Sequence, residues 1–442
     1  MDVSPRRNKI VPQPRESPDV LTLETQTPSK RAKTKKPASN TIAGINTATK
    51  RSPSKKPVSK KAPTNQQPSG PRKTADKKVK IDEDTITFYE TPKPTKSPAL
   101  PNKSKVEGGS KSIGTIIFPR NEKHGPLELT IVKKIGAGAY GEVFQVKLKN
   151  NQDMLDYFPM SNNYALKKML DPNLNRAFEY EQTIMNEIQK KYPKCSAHVL
   201  CYFDIAVDKN GIYYMLSEMQ EGDVKDIYKT VKDQEQRMQI GYDILKQALE
   251  GLNEMKKVGL LHRDIKMDNI LYSTQKKNGQ LRYKLADFGL SCSKNNDKIA
   301  CGSGIFGTPA YISPKVLIYN FSGKKNEIDD LWDETDDIYS LAAMLYQFVM
   351  GKELMSAEAF QVFSALFSTP SSQKYSPEVT EKVDLFTDLL EENYRNASQQ
   401  LRQLMKKYSK NSKEYHLLQF ILTNINPLSK KQTINQSMKT LK

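Results

Sequence analysis

Hydrophobic and polar positions divide this chain into two unlike parts. Up to about residue 110 the sequence is rich in Pro, Ser, Thr and Lys, and it has no sustained apolar period. Such a segment buries too little apolar surface to fold alone, so we predict a disordered arm. From Leu127 the pattern changes: 127–149 predicts strand, glycine-rich turn and strand, and 163–169 and 211–219 predict further strands.

Helical spacing of apolar residues follows these strands. In 177–192 the apolar positions include Phe178, Ile184 and Ile188, which predicts an amphipathic helix, and 236–258 has the same character. The order predicts an α+β protein with a small β-rich part before a larger helical one. The predicted boundaries are 1–125 for the arm, 126–220 for the small part, 221–436 for the large part and 437–442 for a tail.

The net charge of +19 is concentrated in the arm, because residues 1–80 hold 20 Lys and Arg against 5 acidic residues. A basic tail on a near-neutral body suits nucleic acid, an anionic membrane or an acidic protein, but a solvated linker explains it equally well. The segment "KRAKTKK" (30–36) fits a nuclear-import signal, and "SPRR", "TPSK" and "SPSK" fit proline-directed phosphorylation sites or minor-groove-binding repeats. Two less polar segments, 81–90 and 113–118, either dock on a folded surface or are stray apolar residues.

Four cysteines in 442 residues favour unpaired thiols in a reducing compartment over a disulfide framework. Cys195, His198 and Cys201 lack a nearby fourth ligand, so buried thiols are favoured over zinc. No secretory signal and no apolar run of membrane-spanning length is evident. We therefore expect an intracellular protein, cytoplasmic or nuclear.

Four short motifs carry candidate chemistry. "GAGAYG" (136–141) is a turn that can close over phosphates, although a simple glycine-rich hairpin has the same pattern. Lys167 in the next strand can reach phosphates if Glu181 holds it; otherwise both are surface charges. In "HRDIKMDN" (262–269), Asp264 can deprotonate a hydroxyl, Lys266 can neutralise charge and Asn269 can hold a metal ion, and "KLADFGL" adds the carboxylate of Asp287 for Mg²⁺.

Taken together, "GAGAYGEV", "YALK", "HRDIKMDN", "DFG", "GTPAYISPK" and "DDIYSLA" occur in the order found in one family. Over residues 126–435 the chain resembles the eukaryotic-type protein kinases. The resemblance implies a two-lobed fold and transfer of the γ-phosphate of ATP, with Mg²⁺, to Ser or Thr hydroxyls of protein substrates. The alternative is a pseudokinase scaffold tethered to nucleic acid by the arm, and the intact catalytic and metal-binding positions favour the enzyme.

The resemblance assigns roles to individual positions. The ATP-binding residues it implies are Ile135, Gly136, Ala137, Gly138, Ala139, Tyr140, Gly141, Val143, Ala165, Lys167, Glu218, Gln220 and Leu271. The catalytic residues are Asp264, Lys266, Lys167, Glu181 and Thr308, with Asn269 and Asp287 as magnesium ligands. Ser217 would be the gatekeeper, His262, Phe288 and Met185 a stack between the lobes, and Asp337 the anchor of the catalytic loop. Lys266 with Thr308 indicates Ser/Thr specificity.

The resemblance also implies regulation within the activation segment, 287–315. Arg263 would bind a phosphate there, on Ser303 in the first instance, with Ser291 and Ser293 as alternatives. Asp268 indicates basic substrates, and the arm is itself a plausible target for autophosphorylation.

One ion pair of the family is altered in this chain. Lys315 stands where the family has the Glu of "APE", and Lys430 and Lys431 stand where its Arg partner is expected. Because both halves of that ion pair have changed, we expect relaxed or substituted packing rather than a lone buried charge.

Two fragments bear on the origin of the chain. "KCSAHVLCYFDI" (194–205) and "GTPAYISPK" resemble Ser/Thr kinases of large cytoplasmic DNA viruses, and a protist origin is equally compatible. A viral origin would place the protein in a host cell or a virion.

Overall fold

The description of the structure begins at residue 114. The computed structural model describes residues 114–118, 127–138, 141–149, 163–169, 175–208, 211–275, 279–302, 304–319, 321, 331–369, 376–427 and 432–441. The predicted arm up to residue 113, including the segment 81–90, lies outside the described residues.

The described strands of the small lobe form a six-stranded antiparallel sheet in the order β1-β2-β3-β4-β6-β5. They are β1 (Gly114–Phe118), β2 (Leu127–Gly138), β3 (Gly141–Leu148), β4 (Tyr164–Met169), β5 (Tyr202–Val207) and β6 (Tyr213–Glu218). Helix α1 (Asn175–Lys191) lies between β4 and β5 in the chain. Leu129, Val146, Leu166 and Leu216 fill the core of this lobe and are fully buried.

Strand β1 corrects the predicted end of the arm. It lies within 1–125, yet it pairs with β2 along its whole length, and Phe118 is fully buried in the lobe core. Of the two interpretations of the apolar segment 113–118, docking on a folded surface is therefore confirmed and stray apolar residues are excluded.

The large lobe is helical around two small sheets. Its helices are α2 (Val224–Thr230), α3 (Gln234–Lys256), α4 (Pro314–Tyr319), α5 (Glu334–Met350), α6 (Ala357–Phe367), α7 (Pro377–Met405), α8 (Lys413–Asn424) and α9 (Ile434–Thr440). One sheet orders β10 (Leu281–Leu285), β9 (Ile270–Thr274) and β7 (Gly222–Asp223), and the other pairs β11 (Cys292–Ser293) with β8 (Leu260–Leu261). The predicted tail at 437 is wrong, because α9 runs through it and Ser437 is fully buried.

Helix α5 is the centre of the large lobe. Its residues are apolar nearly all round, as expected of a helix buried on every side, and it packs against α3 and α8. It begins with a capping box in which Asp333 and Asp336 satisfy each other's backbone N–H groups. It ends at Gly351, whose φ of 75° suits glycine. The first turn of α5 therefore presents a fixed set of carboxylates.

The cysteines correct a second prediction. The structure pairs Cys195 with Cys201 and Cys292 with Cys301, so the expectation of unpaired thiols is wrong. The Cα atoms are 5.3 and 4.8 Å apart, within the range for a disulfide. Both pairs close short loops, and a count of cysteines carries no information about such local proximity. No helix among the described residues is long and apolar enough to cross a bilayer.

Candidate active site

Polar side chains surround the carboxylate of Asp264 in the implied catalytic loop, residues 262–269. Lys266 Nζ lies 2.7 Å from Asp264 Oδ2, and Thr308 Oγ1 donates to Asp264 Oδ1 at 2.8 Å. The amide nitrogen of Asn269 donates to Asp264 Oδ2 at 2.9 Å, and Lys266 donates to Thr308 Oγ1 at 3.2 Å. Thr308 comes from the activation segment, so this geometry depends on how that segment is held.

The charge state of Lys266 follows from its neighbours. Burial lowers the pKa of Lys266, but the carboxylates of Asp264 and Asp287 outweigh burial, and the pKa is raised above its ordinary value. Lys266 is therefore positively charged, and its charge lies beside the carboxylate oxygen atoms of Asp264.

Asp337, in the first turn of α5, holds the catalytic loop. Its two carboxylate oxygens accept the backbone N–H groups of His262 and Arg263, each at 2.8 Å. Arg263 has a φ of 65°, a conformation that costs a non-glycine residue on the order of 1–3 kcal/mol. Burial raises the pKa of Asp337 to about 7, although the two N–H bonds lower it. The expected anchor is present in the geometry.

Lys167 on β4 meets Glu181 on α1. Lys167 Nζ lies 3.2 Å from Glu181 Oε2 and 3.9 Å from Asp287 Oδ1. Glu181 is only 4% exposed, so the alternative of two surface charges is wrong. Burial raises the pKa of Glu181, and the charge of Lys167 opposes that rise. The small lobe, its helix and the "DFG" segment therefore meet at one lysine.

His262 is packed rather than exposed to a substrate. Its ring is fully buried and contacts Phe288 with centroids 5.6 Å apart, and Phe288 shares a buried core with Met185. Burial lowers the pKa of His262, and its Nε2 lies 3.1 Å from the carbonyl oxygen of Ala286. A neutral, enclosed imidazole matches the stack that the resemblance implied.

Most of the implied ATP-binding residues lie on strands of the small lobe and on β9. Gly136 pairs with Val143 and Gly138 with Gly141 across the hairpin. Ala165 is opposite Ser217, while Ile135 and Ala137 lie on β2 and Leu271 lies on β9. Glu218 and Gln220, which the resemblance places in the hinge that connects the two lobes, are each 9% exposed. Ala139 and Tyr140 lie outside the described residues.

A buried ion pair behind the hinge was missed from the sequence. Lys284 Nζ lies 2.6 Å from Glu218 Oε1 and donates to the carbonyl of Ser196 at 2.9 Å, and Lys284 is only 2% exposed. Cys201 N–H donates to the same Glu218 oxygen at 2.7 Å. The sequence offered one indication of this pair, the position of Lys284 between Tyr283 and Leu285 in strand β10, because a lysine buried there needs an acidic partner.

Arg263 is engaged by the activation segment itself. Its Nε donates to the carbonyl of Leu290 at 2.6 Å and its Nη1 to that of Cys301 at 3.4 Å. The guanidinium carbon lies 4.2 Å from the ring centroid of Phe306 and 5.6 Å from that of Trp332. Burial lowers the pKa of Arg263 to about 10. Sequence reasoning missed this aromatic setting, because Trp332 is distant in the chain.

The predicted phosphate acceptors differ in their settings. Ser303 lies outside the described residues. Ser291 is fully buried and donates to the carbonyl of His262 at 3.3 Å, and Ser293 is 4% exposed and donates to the carbonyl of Gly259. Burial in these positions disfavours the two alternatives.

Gly307 shows why the segment can reach the catalytic loop. Its φ is 108°, and a Cβ placed there would lie 2.4 Å from the carbonyl oxygen of Arg263. Only glycine allows this approach, and it brings the neighbouring Thr308 to Asp264.

Lys315 has two acidic partners in place of the family's arginine. Its Nζ lies 2.9 Å from Asp333 Oδ2 and 2.9 Å from Asp336 Oδ2. At Lys315 the packing is therefore substituted rather than relaxed, and its charge is not alone. Lys430 and Lys431 lie outside the described residues.

A family model described as the protein kinase domain matches residues 129–415. This is more than half of the chain, which therefore belongs to the protein kinase family. Its two lobes, with a β-sheet small lobe and a helical large lobe, are those of that family, whose members use ATP with Mg²⁺.

Curated relatives are similar to about half of this chain and to a smaller share of their own length. The chain is 28% identical over 216 residues to mitogen-activated protein kinase kinase kinase kinase 3 of Rattus norvegicus, covering 49% of this chain and 22% of the relative. It is 27% identical over 276 residues to serine/threonine-protein kinase MRCK beta of Homo sapiens, covering 60% and 14%. It is 27% identical over 226 residues to calcium-dependent protein kinase 4 of Plasmodium berghei (strain Anka), covering 50% and 37%. The chain thus spans about a fifth of the length of the first of these relatives.

Proposed function

We propose that this chain is an ATP-dependent protein serine/threonine kinase. The observation that carries the proposal is the arrangement of Lys266, Asn269 and Thr308 around one carboxylate, Asp264. Phosphoryl transfer needs little covalent help from a protein, and its rate depends on positioning and on charge neutralisation. This loop offers both.

Each residue has a role in the proposed reaction. Asp264 accepts the proton of the substrate hydroxyl and aims its oxygen at the γ-phosphorus. Lys266 neutralises charge on the transferring group, and Lys167, steadied by Glu181, binds the non-transferred phosphates. The lysine and threonine beside Asp264 support a Ser or Thr acceptor.

The residues present fit a magnesium ion. The side-chain nitrogen of Asn269 donates to Asp264, so the side-chain oxygen of Asn269 is the atom suited to a cation. The carboxylate of Asp287 is half exposed, and its Oδ1 lies 3.9 Å from Lys167 Nζ. Mg²⁺ is commonly held by one or two such groups together with phosphate oxygens. When bound, it supplies positive charge that neutralises the phosphates.

The direct test is transfer of labelled γ-phosphate from ATP–Mg²⁺ to a generic basic protein and to the chain itself. Asp264→Asn should abolish labelling of Ser and Thr. Asp384→Asn, the same chemical change on the exposed side of α7, should leave it intact. A native protein that binds ATP without transferring phosphate would instead support the scaffold alternative.

We propose basic protein substrates, the arm of the chain among them. Asp268 supports this, since its carboxylate is 43% exposed one residue before Asn269. It now pairs with Lys225 Nζ at 2.7 Å, so a substrate cation would have to replace that lysine. Peptides with and without Arg before the acceptor, assayed with native and Asp268→Asn protein, test this. Equal rates for both peptides would contradict it.

The regulatory proposal is phosphorylation of Ser303 with Arg263 as its receptor. Charge complementarity supports it, but such a phosphate would have to displace Arg263 from the carbonyls of Leu290 and Cys301. Ser303→Ala should lower activity if this exchange occurs. Full activity of Ser303→Ala would contradict the proposal that Arg263 binds a phosphate on Ser303.

For the arm, we propose an electrostatic contact with nucleic acid, and an intracellular location that includes the nucleus. The support is the charge of residues 1–80 and the segment "KRAKTKK". Binding to duplex DNA should weaken steeply with salt and disappear when residues 1–110 are deleted. Unchanged binding after the deletion, or binding only to an acidic protein, would contradict it.

A further inference from the structure

Helix α5 contacts two parts of the active site, the catalytic loop and the activation segment. Asp337 accepts the backbone N–H groups of the catalytic loop. One turn later, Ser340 Oγ donates to the carbonyl of Tyr311 in the activation segment at 2.7 Å. The Tyr311 hydroxyl also donates to Gln347 Oε1. This one helix therefore sets the distance between Asp264 and Thr308.

The first turn of α5 is crowded with carboxyl groups. Asp333, Glu334, Asp336 and Asp337 all lie at its start. Glu334 is paired with Lys256 at 2.7 Å, and Asp337 is saturated by the catalytic loop. Asp336 is 2% exposed, and among the described groups its Oδ1 accepts no hydrogen bond.

Lys315 supplies the positive charge at this point. It bridges Asp333 and Asp336 from the end of the activation segment, and it is the cation seen against Asp336 in the part of the chain that is described. Burial lowers the pKa of Lys315, but the two carboxylates raise it above its ordinary value, so it stays charged. The ion pair thus joins the end of the segment to the helix that anchors the catalytic loop.

We propose that Lys315 is a positioning residue that fixes Thr308 against Asp264 by tying the activation segment to the acidic start of α5. This inference rests on the proposed kinase function. It leads to an unusual expectation: restoring the family's glutamate at this position should inactivate the enzyme. A third carboxylate beside Asp333 and Asp336 would repel both and release the segment.

The test compares Lys315→Arg, Lys315→Gln and Lys315→Glu in the full chain. We expect Lys315→Glu to lower kcat for a peptide substrate about 100-fold, the loss typical of a misplaced catalytic group. Lys315→Arg should stay within a few-fold of native, because it keeps the charge. Lys315→Gln should fall between them. The affinity for ATP should not change in any variant, since neither Lys315 nor its two acidic partners are among the implied ATP-binding residues.

A second substitution separates positioning from general damage. In Lys315→Glu/Asp336→Asn, one repelling carboxylate is removed while its side chain can still accept the N–H of Asp333, so part of the lost kcat should return. Native-like kcat in Lys315→Glu, or parallel loss of ATP affinity and kcat, would overturn the inference. If Lys315→Glu does not fold, Lys315→Gln against Lys315→Arg gives the same comparison.

Hydrogen exchange makes the result independent of the proposed function. Amides of 308–315 should exchange faster in Lys315→Glu than in native protein, whether or not the native protein transfers phosphate. An inactive native protein with this exchange pattern would contradict the kinase proposal alone. An active native protein whose exchange is unchanged in the variant would contradict the role of Lys315 alone.

Discussion

Asp337 is buried, and its side chain accepts the backbone N–H groups of His262 and Arg263. Burial raises its pKa to about 7, well above its ordinary value of 3.8. Between about pH 4 and pH 7 the folded protein therefore keeps a proton that the unfolded chain has released. The stability that this group contributes is present at low pH and is lost as the pH rises through 7.

Asp337→Asn should remove that pH dependence. In the native protein the free energy of unfolding should fall with rising pH between 4 and 7, by at most about 1.4 kcal/mol per pH unit from this group. Urea unfolding at several pH values measures the slope. Asp384→Asn is the surface control and should keep the native slope. A native slope in Asp337→Asn would show that other groups cause it.

Single residues differed in how well the sequence revealed them. Lys167, Glu181, Asp264 and Lys266 could be predicted from the order of motifs that suit phosphate chemistry, and Thr308 only from the family resemblance. The structure pairs Lys167 with Glu181 and places Lys266 and Thr308 at the carboxylate of Asp264. The contacts around Arg263 and Lys284 could not. They depend on which distant segments meet in the fold, and no local spacing records that.

Among the elements, the activation segment is closed on itself by Cys292 and Cys301. The two cysteines are 9 positions apart, and the loop between them includes the turn Asp297–Ile299, which packs against α1. Tyr180 on α1 donates to the carbonyl of Ile299 at 3.3 Å. The disulfide therefore restricts a loop that the small lobe also contacts.

Removing this disulfide should destabilise the protein by about 2–3 kcal/mol, the chain-entropy value for so short a loop. The measurement is the free energy of unfolding with and without reductant, in a Cys195→Ser/Cys201→Ser background that isolates the second pair. Reductant should lower stability there, and adding Cys292→Ser/Cys301→Ser should abolish the response. A protein indifferent to reductant in that background would contradict the prediction.

Strands and helices could be predicted where the spacing of apolar residues repeats over enough positions to be recognised. The strands around the glycine-rich turn and helices α1 and α3 follow apolar spacing and were predicted within a few residues. Strands β1 and β5 were not, since each is short and is stabilised by its neighbours in the sheet. Helix α9 was cut at 437 because its sequence is polar, although tertiary packing buries Ile434 and Ser437.

At the scale of the whole molecule, the hinge is tied to the large lobe by the ion pair between Glu218 and Lys284. Glu218 ends β6 of the small lobe, and Lys284 lies on β10 of the large lobe. A buried pair of this kind adds little net stability compared with apolar residues, but losing one partner is costly. It fixes where the two lobes join.

Lys284→Met should therefore lower the free energy of unfolding by about 3–5 kcal/mol, because it leaves Glu218 charged and buried. Lys284→Met/Glu218→Gln should recover part of that loss, since Gln can still accept the N–H of Cys201. Lys225→Met breaks an exposed pair and should cost at most about 1 kcal/mol. If the double variant is less stable than Lys284→Met, the buried charge is not the cause.

The position of Trp332 gives the protein an optical reporter of its own. It is the only tryptophan in the chain, it is 3% exposed, and its indole donates to the carbonyl of Gly304 at 3.0 Å. Its ring also faces the guanidinium of Arg263. Any event that moves the activation segment away from the catalytic loop must change the polarity around this indole. Its emission wavelength therefore follows the segment in unlabelled protein, in real time and without a substrate.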